Sequence, residues 1–300
     1  MEKPVIAVVG PTSSGKSDVA VDIALNFNGE VISADSRQVY SGLDIGTGKI
    51  TEKEMRGIPH YLLDVTSPRR RYTVQDYKRD AERAIEVVHE KGNLPIVCGG
   101  TGFYISTLMD NVDFPKVSPD GAFRKRCEEE DPMVLFERLK NEDPKRAETI
   151  DPANKRRVIR ALEVVKYLGS VPDVKKRGSL YAKLFIGLDR DSEELKERIE
   201  RRLLKRLDGG MVEEAEKLHE DGLSFDRMEE LGLEYRYLAR YLKEEIDRAE
   251  MVDKIKTASW QYVKRQRQWF RKDNRIKWFH PDEMERVFME VNEFLLNLNT

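Results

Sequence analysis

Gly10-Pro11-Thr12-Ser13-Ser14-Gly15-Lys16-Ser17 is the stretch that decides the fold. It follows an apolar run, Val5-Ile6-Ala7-Val8-Val9, and opens into Asp18-Val19-Ala20-Val21-Asp22-Ile23-Ala24, whose apolar spacing is helical. That is a complete G-x4-G-K-[ST] phosphate-binding loop set between a strand and a helix, the context the motif requires. Its glycines let the backbone wrap closely, successive N–H groups point inward, and the helix N-terminus adds positive potential for an anion. In such a cradle Lys16 meets terminal phosphate oxygens and the Ser17 hydroxyl sits on Mg2+. The loop alone does not say whose phosphate it holds.

Three hundred residues allow one large domain or two smaller ones around a real core. A formal net charge of −2 means that any nucleic-acid binding comes from a local patch. No apolar run approaches the roughly 20 residues of a membrane span. The opening Met1-Glu2-Lys3-Pro4 runs straight into a strand and leaves no room for a signal peptide. Cys98 and Cys127 stand outside any C-x2-C arrangement, and with only 4 histidines a zinc site is not expected. Both read as buried or incidental thiols of a reducing compartment. The expectation is a cytoplasmic protein, monomeric and without membrane contact.

After the first helix, Glu30-Val31-Ile32-Ser33-Ala34-Asp35 reads as a short strand ending on a carboxylate. Strand C-termini of an open parallel sheet face the ligand crevice, so Asp35 is expected beside the phosphate loop. Ser36, Arg37 and Gln38 continue as polar loop, and Asp44-Ile45-Gly46-Thr47-Gly48-Lys49 is a second glycine-rich loop. Residues 60–64 read as a third strand and 73–91 as an amphipathic helix. A buried strand at 94–98 leads into the tight loop Gly99-Gly100-Thr101-Gly102 and a helix over 103–109. This alternation predicts an α/β fold, a P-loop doubly wound parallel sheet.

The pattern changes after residue 110. Residues 110–119 are polar and proline-punctuated and 120–148 charged and helical, so 111–155 read as an inserted helical module; 1–110 and 156–300 form the core with a helical C-terminal region. Residues 156–164 are a helix whose Arg157 and Arg160 share a face. A strand at 183–188 returns to the sheet, followed by a long helix carrying Arg198, Arg201 and Arg202. The chain then stays helical to about Lys272, with a last strand at 276–279 and a closing helix at 281–297. Between residues 254 and 277, nine Lys or Arg stand against one acid, Asp273, with Trp260, Tyr262, Trp269 and Phe270 interleaved. Such a patch suits a nucleic-acid backbone with stacking rings nearby. The bland alternative is a solvated helix face over core aromatics, and Trp269 and Phe270 at least are expected in the core.

Taken together, the motifs resemble those of the tRNA dimethylallyltransferases (tRNA isopentenyltransferases). The resemblance rests on residues 10–17, on Ile32-Ser33-Ala34-Asp35-Ser36 followed by Val39-Tyr40, on residues 44–49, and on Pro59-His60-Tyr61-Leu62-Leu63-Asp64. Further along it rests on Gly99-Gly100-Thr101-Gly102-Phe103-Tyr104, residues 156–163, Arg198-Ile199-Glu200-Arg201-Arg202, and Lys264-Arg265-Gln266-Arg267-Gln268-Trp269-Phe270-Arg271. These run in family order from residue 4 to about 280. Two stretches depart from the pattern: Trp260 where a basic residue is usual, and Leu231-Gly232-Leu233-Glu234-Tyr235-Arg236, without glycine directly before the tyrosine.

The resemblance implies transfer of a dimethylallyl group from dimethylallyl diphosphate to the exocyclic amine of the adenine just 3′ of the anticodon. It implies that the loop holds diphosphate with Mg2+, that Asp35 takes the amine proton, and that Thr101 lies between base and donor. Arg202 is implied to meet the diphosphate. Ser36, Arg37, Gln38, Arg124, Arg156, Arg157, Val158, Ile159 and Arg160 match tRNA-contacting positions, and Lys264 and Arg265 lie in the basic segment facing tRNA. The tRNA anticodon loop is thus the expected partner. Three rivals remain at this point: a small-molecule kinase binding ATP or another NTP, a transferase acting on free adenine nucleotides, and a non-catalytic RNA-binding module.

Overall fold

Val5, Ala7 and Val9 pack on one side of the first strand and Ile6 and Val8 on the other, all buried. A strand buried on both faces belongs in the middle of a parallel sheet. The computed structural model describes residues 3–173, 175–176, 178 and 180–298. In chain order its strands are β1 (Lys3–Val9), β2 (Gly29–Ser33), β3 (His60–Tyr61), β4 (Leu94–Gly99), β5 (Val112–Asp113), β6 (Lys175–Lys176), β7 (Tyr181–Leu188) and β8 (Ile276–Phe279). Six form one sheet in the order β3-β2-β4-β1-β7-β8, every pairing parallel. One face is covered by the helices Val74–Glu90 and Gly102–Met109 through Tyr77, Ile85, Tyr104 and Leu108. The other is covered by Lys16–Asn26 and Met284–Asn297 through Val19, Ile23, Val287 and Val291. This is the doubly wound sheet that the alternation predicts.

Because the six strands run the same way, the loops after β1, β2, β4 and β7 emerge at one edge, the crevice side. The third strand is shorter than the sequence suggests. Leu62 and Asp64 adopt positive φ of 63° and 56°, which ends pairing after Tyr61 and turns the Asp64 carboxylate onto Lys49. The helices Ser192–Asp208, Met211–Glu220, Phe225–Leu231, Leu233–Leu242 and Arg248–Phe270 build a third apolar cluster, with Leu203, Met228, Tyr235 and Ile255 packed among Val39 and Leu43. Among the described residues, no helix is long and apolar enough to cross a membrane.

The chain divides into two compact units, Met1–Asn111 with Gly178–Thr300, and Val112–Arg177. The inserted unit therefore runs past the boundary at 155 that composition suggests. The helix Lys155–Leu168 lays Val158, Ile159 and Leu162 against Phe123, Leu135 and Leu139, and β5 pairs with β6 antiparallel. Residues 156–160 thus belong to the insertion and not to the P-loop core.

Candidate active site

The phosphate loop leaves β1 so close to β7 that only glycine fits at its first position. A Cβ on Gly10, whose φ is 152°, would lie 2.3 Å from the Leu188 carbonyl. Lys16 donates from Nζ to the Pro11 carbonyl at 3.2 Å. Burial pulls its pKa below the usual lysine value, and the neighbouring Cys98 and Asp35 side chains oppose that shift. Other elements hold the loop by its backbone. Arg190 Nε donates to the Ser14 carbonyl at 3.1 Å and Arg198 Nε to that of Ser13 at 2.9 Å. Gln266 Oε1 accepts from the Thr12 N–H at 2.9 Å while its Nε2 donates to the Gly100 carbonyl at 2.8 Å, tying two glycine-rich loops together. The buried Ser14 hydroxyl has no partner among the described residues, which leaves a polar atom unsatisfied inside the cradle.

Beside the loop is a cavity of about 320 Å³ lined by Lys16, Ser17, Arg198, Arg201, Arg202 and Lys205. Arg202 donates to the Gly48 carbonyl at 2.7 Å, and a Cβ on Gly48 would lie 2.4 Å from its guanidinium nitrogen. Burial, then the neighbouring Arg206 charge, lowers the Arg202 pKa. Cations crowded this way lower their mutual repulsion by taking an anion. Asp18 and Glu54 line the same cavity, and burial with the Glu54 charge holds the Asp18 carboxyl above the usual aspartate value. Mg2+ takes oxygen ligands, commonly one or two from protein and the rest from water and phosphate. The Ser17 hydroxyl with these carboxylates fits that donor set, although no group of three or more His, Cys, Asp or Glu forms a metal cage among the described residues.

A second cavity, of about 300 Å³, shares Ser13 and Arg202 with the first and is lined by Asp35, Ser36, Arg37, Tyr262 and Arg265. Asp35 Oδ1 accepts the Arg37 N–H at 2.8 Å and the Gln38 N–H at 3.4 Å, so the turn after β2 fixes the carboxylate through backbone donors. No cation pairs with it among the described residues. Thr101 Oγ1 accepts from the Ser36 N–H at 3.0 Å, which brings the loop after β4 to Asp35. Gln38 Nε2 donates to the same Gly48 carbonyl that Arg202 uses, at 3.3 Å. Burial, reinforced by the Asp35 charge, pushes the Tyr262 hydroxyl up to about 12.

Other expected residues are placed differently. Lys264 and Arg265 are exposed on the helix Arg248–Phe270. Around them Lys254, Lys256, Arg267, Arg271, Arg275 and Lys277 pair with carboxylates, whereas Lys264, Arg265 and Lys272 pair with none among the described residues. Phe270 is buried as expected, but Trp269 is 43% exposed, because it falls on the helix face turned from the Val263–Gln266–Phe270 side. In the inserted unit Arg156 and Arg157 are exposed, while the Val158 and Ile159 side chains are core. Arg124 and Arg160 both close on the buried Glu163. Sequence reasoning gave a role on the helix Ser192–Asp208 to Arg202 alone; it noted Arg198, Arg201 and Gln266 without assigning them one, and did not name Lys205 and Arg206. The spacing 198, 201, 202, 205, 206 puts those cations on one helical face, a signal that was available.

A family model described as IPP transferase matches residues 38–273. A tRNA dimethylallyltransferase of Thermoanaerobacter sp. (strain X514) is 40% identical over 290 residues, covering 93% of this chain and 92% of that relative. The chain belongs to the IPP transferase family. It is therefore a transferase. A further relative of this IPP transferase, the tRNA dimethylallyltransferase of Oceanobacillus iheyensis, is 38% identical over 306 residues, covering 99% and 96% of the two chains. The solved full-length tRNA isopentenylpyrophosphate transferase of Bacillus halodurans is 34% identical with a TM-score of 0.74 over 100% of both chains. A solved eukaryotic dimethylallyltransferase acting on tRNA superposes with a TM-score of 0.85 at 28% identity, covering 98% of this chain and 80% of that one.

Proposed function

We propose that this IPP transferase moves a dimethylallyl group from dimethylallyl diphosphate to the exocyclic amine of the adenine immediately 3′ of the anticodon in tRNA. The observation that carries the reading is the pair of cavities sharing Ser13 and Arg202, one lined by phosphate-loop cations and the other by Asp35. The diphosphate occupies the first, along residues 10–17, with Arg198, Arg201 and Arg202. The adenine, unstacked from its loop, occupies the second. The amine nitrogen attacks the allylic carbon, the carbon–oxygen bond breaks, and its electron pair leaves with diphosphate, whose growing charge Arg202 and Lys16 stabilise. The amine proton passes to the Asp35 carboxylate, while Thr101 keeps Ser36 and Asp35 in place. The Ser17 hydroxyl would hold Mg2+, which would supply further neutralisation of the diphosphate charge. Arg37, Lys264 and Arg265, with Arg156 and Arg157 of the insertion, hold RNA phosphates. The buried free thiols Cys98 and Cys127 suit a cytoplasmic protein, and we assign it as a monomer.

Incubating the protein with dimethylallyl diphosphate, Mg2+ and unmodified tRNA, then digesting to nucleosides for mass analysis, tests this. The expected result is one dimethylallyl group on a single adenosine per tRNA and no consumption of ATP. ATP turnover coupled to product points instead to a kinase, and prenylation of free adenine nucleotides without tRNA to the free-nucleotide transferase.

A further inference from the structure

Two large aromatic side chains stand exposed together on the P-loop unit, Phe103 at 47% and Trp269 at 43%. Their rings meet edge to face, with centroids 6.3 Å apart at an interplanar angle of 74°. The Trp269 ring is seated against backbone, since a Cβ on Gly102 would lie 2.2 Å from its Cδ1. Gly102 follows Thr101, whose hydroxyl holds the Ser36 N–H next to Asp35. On the helix Arg248–Phe270, Arg265 lines the Asp35 cavity, and Trp269 is four residues further on, hence on the same face one turn away. Through Trp269 the aromatic pair thus lies one helical turn from Arg265, a residue of the Asp35 cavity, and three residues before Lys272; no carboxylate neutralises either cation among the described residues.

We propose that Trp269 and Phe103 form a stacking platform for the unpaired base next to the target adenine in the RNA. The inference rests on the tRNA-prenylation reading. Drawing one adenine out of a stacked loop leaves its neighbour with an uncovered face, and an aromatic ring replaces the lost stack at any base, since every base has a π face. Unneutralised cations beside the rings select a polyanion over an apolar protein surface.

The test uses full-length protein and an unmodified anticodon stem-loop RNA, intact or with one abasic nucleotide at either position flanking the target adenine. For the wild type, an abasic site at one flanking position should lower kcat/KM about tenfold, the lower range of a lost base–aromatic stack. Trp269→Ala should lower kcat/KM on intact RNA by a similar factor and be insensitive to that same abasic site, with the KM for dimethylallyl diphosphate unchanged. Trp269→Phe should restore most of the loss, and Phe103→Ala should reproduce part of it. If Trp269→Ala and the abasic site multiply as independent defects at both positions, or if Trp269→Ala matches wild type, the platform is overturned while the function stands. A wild type that prenylates no RNA overturns the function and the platform together.

Discussion

Two arginines in each unit, Arg124 and Arg160 in the insertion and Arg198 and Arg202 in the P-loop unit, serve opposite ends. In the insertion, Arg124 grips the buried Glu163 with two hydrogen bonds, at 2.8 and 2.7 Å, Arg160 takes the same carboxylate, and the Asp120 N–H adds a third donor at 2.7 Å. Both arginines, though partly exposed, are thus directed onto one buried carboxylate of their own unit. In the P-loop unit, Arg198 and Arg202 are held by the carbonyls of Ser13 and Gly48, with no carboxylate paired to either among the described residues. Asp35 shows the same arrangement with the sign reversed, fixed by backbone N–H groups and paired to no cation among the described residues. A charge oriented by backbone dipoles keeps its full charge for a ligand, whereas one closed on an opposite charge becomes structure. The contrast predicts which substitutions cost catalysis and which cost stability.

The largest effect is expected at Asp35. Asp35→Asn keeps the shape and the turn but cannot accept the amine proton, and loss of a general base typically costs 10²–10⁴-fold. Single-turnover rates at saturating Mg2+ should show that loss, with tRNA and donor affinities changed by less than about tenfold. Near-normal single-turnover rates would reject the base assignment, and partial rescue by excess Mg2+ with weakened donor binding would make Asp35 a metal-positioning group. Next is Arg202→Ala, which should cost roughly 3 kcal/mol of transition-state stabilisation, the scale of one preorganised donor. Its thermal midpoint should stay close to wild type; a large fall in stability would show that Arg202 is spent on structure as Arg124 is.

Glu163→Gln tests the other side. It should destabilise the protein by about 2 kcal/mol at neutral pH, since two partly exposed arginines lose their buried partner but retain access to water. Burial alone would raise the Glu163 pKa, but Arg124, the Asp120 N–H and Arg160 outweigh it and hold the carboxyl below its ordinary value of 4.5. A depressed carboxyl adds stability that is complete above that ordinary value and is lost as pH falls through the folded pKa. The gap between wild type and variant in denaturant titrations should therefore close on acidification, while the rate of the chemical step at neutral pH stays unchanged. A gap that persists at low pH would mean that packing and not charge holds this site together. The smallest effect is expected for Lys264→Ala or Arg265→Ala. Each should weaken tRNA binding and reduce the salt-dependence slope by about one, for one lost phosphate contact. An unchanged slope would show that the exposed cations are only a solvated face.

By itself the sequence determined the phosphate loop, the parallel sheet and the position of Asp35. Each follows from local rules: a glycine-rich turn between strand and helix, apolar runs buried on both faces, and a strand end at the crevice. The basic stretch was legible as charge, and the cationic face of the helix Ser192–Asp208 was legible as spacing. Only the tertiary structure decided which charges remain available. Arg124 and its neutralising partner are 39 residues apart, and Gln266 reaches Thr12 across 254 residues. It also extended the insertion to take in Val158 and Ile159, and turned Trp269 outward while burying Phe270 beside it. Local periodicity reports which face of a helix is apolar; what that face and its charges meet is set by contacts between segments far apart in the chain, whose pairing no local pattern encodes.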